Sequence, residues 1–143
     1  MPNILINQNN TNMLQTIDKN DLLIRLGVYL TQHGQTTVNN PGRVAFQTWL
    51  MQELLANGRT VRAGTIYLRA IDRPQFDALL HLFGITRGNY SCTNLNALFR
   101  AFEDVVNNNT VAAQNANDYG NGNMVSAFRY FIEFLLYENN ITI

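Results

Sequence analysis

The sequence predicts an all-α protein, folded as a compact bundle of five to six short helices. Apolar residues recur at intervals of three and four along most of the chain, which is the spacing of a helix that buries one face. Gly, Pro, Asn and Asp fall between these stretches, where helices begin and end. No apolar–polar alternation of useful length competes with this pattern, so no strand is predicted.

The first two helices are defined by their caps. Asp18 or Asn20 can cap the first helix, and Gly34 supplies its stop. The second helix is expected to open at Asn39-Asn40-Pro41, with Asn as the cap and Pro at the first helical position, and to close at Asn57-Gly58. The apolar positions of these two helices are Leu22, Leu23, Leu26, Tyr29 and Leu30, then Phe46, Trp49, Leu50 and Leu54.

A third and a fourth helix follow with only a short break between them. Thr60 can start the third helix, which runs to Ile71. Asp72 and Pro74 end it and begin the fourth helix, which Gly84 closes. The apolar positions of the fourth helix are Phe76, Leu79, Leu80 and Phe83.

Two further apolar stripes lie on either side of a polar stretch. After a turn over residues 86–91, a fifth helix is capped near Thr93, and a last helix follows a Gly- and Asn-rich turn over 120–123. The intervening stretch 107–123 has low complexity and is either functional or partly ordered by Val111-Ala112-Ala113. The two stripes are Leu95, Leu98, Phe99, Phe102, Val105 and Val106, and then Val125, Phe128, Phe131, Ile132, Leu135 and Leu136.

The length of 143 residues suits one domain. Residues 1–17 are expected to form a loose arm around Ile4-Leu5-Ile6, with a docked strand or turn as the alternative, and residues 18–143 a single helical domain. The sequence has neither a signal-peptide pattern nor an apolar run near the roughly 18 residues that a membrane span needs. We therefore expect a cytoplasmic protein with no membrane partner.

Composition excludes several classes of protein. Ten basic and ten acidic residues give a formal net charge of zero, and only 14% of residues are charged. These values exclude a general polycation, an acidic DNA mimic and a disordered chain of the high-charge kind. Lys19 is the only lysine, so nearly all positive charge is arginine, and asparagine occurs twenty-one times.

Patterns for catalysis or metal binding are poor. His33 and His81 lie near predicted helix C-termini without Cys or acidic residues at ligand spacing, which favours capping or surface roles. Cys92, the single cysteine, has no identifiable partner base, so a packing role at a helix start is expected. We therefore predict a protein that is not an enzyme, with no catalytic residue, metal or cofactor.

An arginine row is the one pattern that points to a ligand. On a helix at about 100° per residue, Arg59, Arg62, Arg69 and Arg73 fall within an arc of about 80°. Guanidinium groups bind phosphate oxygens and guanine edges with two hydrogen bonds at once, so the row fits a helix that meets DNA. A solvated helix face is the plain alternative. The apolar residues on the other side are Val61, Tyr67, Leu68 and Ile71.

A series of motifs spans residues 41–138. The earlier motifs are Phe46-x-x-Trp49-Leu50, Asn57-Gly58-Arg59-Thr60 and Gly64-Thr65-Ile66-Tyr67-Leu68-x-Ala70-Ile71. The later motifs are Phe83-Gly84-Ile85, Asn94-Leu95-x-x-Leu98 and the stretch 125–135. Their order resembles the four helices of the SAM-like core-binding domain of tyrosine recombinases and phage integrases. The stretch 122–128 is also similar to a Gly-Asn-rich turn in the N-terminal cassette of some restriction-type nucleases.

The resemblance implies an all-α domain that clamps one side of a DNA duplex. The segment 59–71 would face the DNA, and the helix over 95–106 would provide a second contact. The candidate DNA-contacting residues are Arg59, Arg62, Thr65, Arg69, Arg73 and Arg100. No recombinase catalytic residues accompany these motifs, so Tyr130 and Tyr137 do not inherit the role of a nucleophile.

Two functions remain open at this point. The first is a non-catalytic DNA-binding module of a recombinase or nuclease system of a mobile element, with double-stranded DNA as partner. The second is a self-assembling or protein-interaction protein. When molecules with a surface rich in Asn, Gln and Thr associate, they lose less side-chain entropy and experience less charge repulsion than molecules with a highly charged surface. Tyr130 and Tyr137, which lie off the apolar stripe of the last helix, are candidates for such a partner surface.

Overall fold

The computed structural model describes residues 17–86 and 92–143, and within them the protein is mostly helical, which confirms the predicted fold class. Seven α-helices and two strands lie within these residues. The helices are α1 (Lys19–His33), α2 (Arg43–Ala56), α3 (Val61–Asp72), α4 (Pro74–Leu82), α5 (Leu95–Asn107), α6 (Val111–Tyr119) and α7 (Met124–Glu138). The strands are β1 (Thr37–Asn39) and β2 (Cys92–Asn94).

Local caps explain where α1 and α3 begin. The Asp18 carboxylate accepts a hydrogen bond of 2.8 Å from the backbone N–H of Asp21, and Thr60 Oγ1 accepts one of 3.3 Å from that of Ala63. Gly34 ends α1 with a φ of 69°, a conformation that strains residues with a side chain. These boundaries are the predicted ones.

The predicted start of α2 is wrong by two residues. The helix begins at Arg43, and its N-cap is Gly42 with a φ of 108°, so Pro41 does not occupy the first helical position. The Asn40 side chain accepts a hydrogen bond of 3.0 Å from the backbone N–H of Gly42. Asn40 therefore closes a turn ahead of the helix instead of capping it.

The two strands are absent from the prediction. They pair antiparallel, with Thr37 opposite Asn94 and Val38 opposite Thr93. Three residues are too few for alternation to stand out in a sequence. The predicted cap of α5 near Thr93 shifts by one residue, because Asn94 accepts the capping hydrogen bond, 2.9 Å long, from the backbone N–H of Ala97.

The low-complexity stretch 107–123 contains α6, which raises the helix count above the predicted five to six. Thr110 caps this helix by accepting a hydrogen bond of 3.0 Å from the backbone N–H of Ala113. The same hydroxyl donates to the buried carboxylate of Asp104 at 2.6 Å. A side-chain link from α5 thus fixes the start of α6.

Some predictions fall on residues outside the described ranges. The loose arm over 1–17 lies outside them except for Ile17, which is 3% exposed. The turn over 86–91 lies outside them apart from Thr86, and so does the side chain of Cys92, for which a packing role was expected.

The core is built around α7, which contacts α1, α2, α3, α5, α6 and β1. Aromatic rings form its centre, with centroid distances of 5.4 Å between Phe46 and Phe131, 5.0 Å between Phe76 and Phe128, and 5.4 Å between Phe102 and Phe128. One contiguous cluster of buried side chains therefore links α2, α4 and α5 to α7. Among the helices of residues 17–86 and 92–143, none has the length and apolar character required to cross a membrane.

The suggestion that Tyr130 and Tyr137 form a partner surface is wrong for Tyr130. This side chain is 5% exposed, and its ring lies 5.2 Å from that of Tyr67 and 4.3 Å from the guanidinium carbon of Arg129. Tyr137 is half-buried against the ring of Trp49. The apolar side of α7 is wider than the stripe predicted from the sequence, because the helix is surrounded by neighbours.

Candidate nucleic-acid interface

The packing of α3 decides which of its sides faces solvent. Its buried side consists of Gly64, Tyr67, Leu68 and Ala70. A Cβ at Gly64 would overlap the Sδ of Met51 and lie 2.8 Å from its Cε, so this glycine lets α3 approach α2 closely. Arg62 and Arg69 are left exposed on the other side of the helix.

A groove of about 310 Å³ lies between this exposed side of α3 and the segment that joins α6 to α7. Three of its lining side chains are arginines, and none is acidic. One wall is supplied by Arg62, Ile66, Arg69, Ala70 and Arg73, and the other by Tyr119, Gly120, Asn121 and Asn123.

Within the described ranges, the arginines of this groove form no ion pair with an acidic side chain. Arg62, Arg69 and Arg73 are exposed, and within the described ranges their guanidinium groups make no hydrogen bond or ion pair. The nearest acid along the chain, Asp72, is held by Arg43, whose Nε lies 2.9 Å from Oδ1 and whose Nη2 lies 2.7 Å from Oδ2. The charge of Asp72 is therefore matched on α2, and the three groove arginines are free to bind an anion.

The turn after α6 has a defined backbone. Asn121 and Gly122 have φ values of 52° and 80°, and the backbone N–H of Asn123 donates to the Gly120 carbonyl at 2.9 Å. A Cβ at Gly120 would lie 2.9 Å from the Cβ of Met124 and 3.0 Å from a backbone oxygen of α6. Only glycine fits at position 120. The tight turn that it allows places Asn121 and Asn123 beside the groove.

Two helices begin at the edge of the groove. Arg73 is the N-cap of α4 and Asn123 is the N-cap of α7, and neither side chain bonds to the first turn of its helix. The N-termini of helices carry partial positive charge and unpaired N–H groups, both of which favour an anion. They add to the field of the arginines, which provide the main attraction for phosphate.

Three of the four arginines of the predicted row, Arg62, Arg69 and Arg73, line this groove, and Arg59 does not. The helix begins at Val61, so Arg59 precedes it and does not follow the helical spacing used in the prediction. Arg59 instead donates a hydrogen bond of 3.1 Å to the hydroxyl of Tyr67. Arg73 lies just beyond the end of α3, yet it still lines the groove.

The remaining two predicted contacts lie elsewhere. Thr65 is half-buried, and its hydroxyl donates to the Val61 carbonyl at 3.2 Å. Arg100 is exposed on α5 but does not line the groove. The structure thus brings together Arg62, Arg69 and Arg73.

The second wall of the groove is absent from the prediction. Tyr119, Asn121 and Asn123 follow α3 by about fifty residues, and they meet it only because α6 packs on α4 and α7 packs on α3. The run from Gly120 to Asn123 signalled a turn, and nothing in it indicated a neighbour.

A second polar cluster lies inside the bundle, away from the groove lining. Glu133 is fully buried, and its Oε2 accepts a hydrogen bond of 2.9 Å from Arg129, which also donates one of 3.0 Å to the carbonyl of Ile17. Burial raises the pKa of Glu133 to about 8, with Arg129 opposing the shift and Glu53 adding to it. Burial also raises the pKa of Glu53 to about 7.

Comparison with known proteins provides no relative, since no family model, no curated protein and no solved structure matches the chain. The likeness to core-binding domains therefore remains a prediction. Within the residues that the structure describes, no cluster of three or more His, Cys, Asp or Glu side chains could hold a metal ion. His33 and His81 are both exposed, and the ring of His33 stacks on Tyr29 at 4.0 Å.

Proposed function

We propose that this protein is a non-catalytic helical module that binds double-stranded DNA through its phosphates. The observation that supports this function best is the convergence of Arg62, Arg69 and Arg73, all unpaired, on a groove without acidic side chains. The resemblance to core-binding domains adds a role within a recombinase or nuclease system.

The spacing of the arginines suits a nucleic-acid backbone. Arg62 and Arg69 are seven residues apart on one helix, which separates their Cα atoms by about 10 Å. Phosphates along one DNA strand advance by about 3.4 Å of helix axis each, so the row can reach about three consecutive phosphates. Because the net charge of the chain is zero, short-range contacts must supply most of the affinity.

The salt dependence of DNA binding tests this function. Fluorescence anisotropy of a labelled blunt duplex, titrated with the protein over a range of salt concentrations, gives the slope of log K against log salt. Three neutralised phosphates predict a slope of about −3, from about 0.9 per contact. Changing Arg62, Arg69 or Arg73 singly to Gln should each reduce the steepness by about one unit.

One control variant and one further test variant belong to this experiment. Lys19→Gln removes one exposed positive charge outside the groove lining and should leave affinity and slope unchanged. Arg100→Gln tests the second contact that the resemblance implies on α5. No duplex binding at low ionic strength, or three arginine variants that bind like the wild type, would refute the proposed function.

Self-assembly is the second candidate function, and one surface favours it. Ile24 and Val28 on α1 are 65% and 54% exposed, and they border an opening of about 500 Å³ whose other lining residues include Phe99. Exposed apolar side chains grouped in this way are typical of interaction surfaces. Light scattering over a wide concentration range separates the candidates, because DNA binding requires no assembly, whereas growing oligomers without nucleic acid would favour the second.

A further inference from the structure

We propose that the groove between α3 and the Tyr119–Asn123 segment holds one unpaired DNA nucleotide, with Tyr119 stacked on its base. This inference rests on the proposed function and deepens it, because it names the form of DNA that the site prefers. A helix that only follows a duplex backbone needs positive charge on a convex ridge. This site has in addition a concave shape, an aromatic side chain and, on Asn121, a side-chain amide without a hydrogen bond within the described residues.

Tyr119 is the residue from which the inference starts. It ends α6, is 54% exposed and lines the groove together with the three arginines. Ten aromatic ring pairs lie within the described ranges, and Tyr119 belongs to none of them. Its ring is therefore available to a base, and stacking on an aromatic side chain is the common way to hold an unpaired base.

The rest of the lining matches the other parts of a nucleotide. The half-buried Ile66 provides apolar surface on α3 for the sugar and the base. The Asn121 side chain makes no hydrogen bond within the described part of the chain, so its amide can donate to and accept from a base edge. Arg69 and Arg73 can then hold the flanking phosphates.

The size and rigidity of the site support the same ligand. A volume of about 310 Å³ lies at the lower end of the range of small-ligand sites, which suits one nucleotide and not a length of duplex. The turn is held by the hydrogen bond from the Asn123 backbone N–H to Gly120 and by one of 3.3 Å from the Asn123 side chain to the Asn121 carbonyl. A preformed turn loses little entropy when it binds.

Binding of three labelled probes tests the inference: a blunt duplex, the same duplex with a short single-stranded thymine overhang, and a single-stranded thymine oligonucleotide. We expect the overhang probe to bind about tenfold or more tightly than the blunt duplex, since stacking of a base on an aromatic ring has that effect. Tyr119→Ala should abolish this preference, so that the overhang and blunt probes bind with equal affinity. Tyr119→Phe, which keeps the ring, should retain it.

A second readout locates the base. An overhang that carries 5-iododeoxyuridine should cross-link to Tyr119 under ultraviolet light. Separately, the variant with Arg62→Gln, Arg69→Gln and Arg73→Gln combined should lose binding of all three probes. Equal affinity for the blunt and overhang probes, or a preference that survives Tyr119→Ala, would overturn the inference and leave duplex binding standing. Failure of the wild type to bind any probe would overturn the proposed function as well.

Discussion

Glu133 and Arg129 form an ion pair in which the acid has no access to solvent, while the side chain of the arginine keeps 14% of its exposure. Taking a carboxylate out of water costs more than one partner returns, and Oε1 of Glu133 has no hydrogen bond within the described residues. The same guanidinium also binds the carbonyl of Ile17, so the pair ties the chain ahead of α1 to α7. The pKa of Glu133 is raised because burial disfavours its charged form.

The stability of the protein should therefore fall as the pH rises. The pKa of Glu133 is about 8 in the folded protein against a usual value of 4.5, so the folded state holds the proton more tightly than the unfolded state. The resulting stabilisation is complete below about pH 4.5 and is lost as the pH rises through 8. Glu133→Gln keeps an acceptor for Arg129 without a charge. Its melting temperature should match the wild type at pH 5 and exceed it at pH 9, by roughly 3–5 °C for each kcal/mol gained.

Two variants make that comparison specific. Glu138→Gln changes an exposed glutamate on the last turn of the same helix and should leave the pH dependence as it is. Glu53→Gln should reduce part of the decline, because burial raises the pKa of Glu53 to about 7. A Glu133→Gln protein that melts below the wild type at pH 9 would show that the ion pair is net stabilising.

At the scale of helices, α2 and α3 depend on a glycine for their close approach. Gly64→Ala places a methyl group against Met51 and 3.2 Å from Leu54 Cδ1. Overpacking costs roughly 1–3 kcal/mol, while replacing a helical glycine gains about 1 kcal/mol. We expect Gly64→Ala to destabilise the wild type by about 1 kcal/mol in urea unfolding. In a Met51→Ala background, which supplies the space, the same change should be neutral or stabilising. A loss of stability of equal size in both backgrounds would show that contact with Met51 is not the cause.

The elements that the sequence predicts well are those whose boundaries are decided locally. Asp18 and Gly34 bound α1, and Thr60 begins α3, because each cap satisfies a neighbour within a few residues. The sequence misplaces the start of α2, because Asn40 can either cap a helix or close a turn and the pattern of residues is the same in both cases.

Elements decided by distant partners were harder to predict. β1 is held by reciprocal hydrogen bonds of 2.9 Å between the backbone of Asn39 and the side chain of Asn139, which is 100 residues away. Asn117 donates in the same way to the Val105 carbonyl at 2.9 Å. Several of the many asparagines thus satisfy backbone groups far along the chain, a role that composition alone does not reveal.

At the scale of the whole molecule, charge is balanced overall and uneven locally. Helical spacing predicts that Arg62 and Arg69 share one side of α3, but it does not indicate that Asp72 is paired with Arg43 or that Tyr119 and Asn121 lie opposite. Both facts arise from packing between helices that are distant in sequence. The candidate site is therefore predictable only in part: Arg62 and Arg69 follow from helical spacing, whereas the concave shape and its second wall follow from the fold.

The arrangement around α7 predicts cooperative unfolding of the whole bundle. Trp49, the only tryptophan, is 6% exposed on α2 with its ring 5.6 Å from Phe134, so its fluorescence reports contact between α2 and α7. Circular dichroism reports all helices, and the two signals should change at the same denaturant concentration, since nearly every element touches α7.

Phe131→Ala tests this cooperativity. Its ring contacts Phe46 on α2 and Phe76 on α4, at centroid distances of 5.4 Å and 6.3 Å, so the truncation leaves a cavity between three helices. The loss should be roughly 3–5 kcal/mol, and Phe102→Ala, which truncates another buried ring, should cost the same. The exposed Leu55→Ala should change stability by less than about 0.5 kcal/mol. Both signals should move together in each variant. Tryptophan fluorescence that changes before circular dichroism would mean that α2 separates from α7 while the other helices persist, and the bundle would then fold as two units.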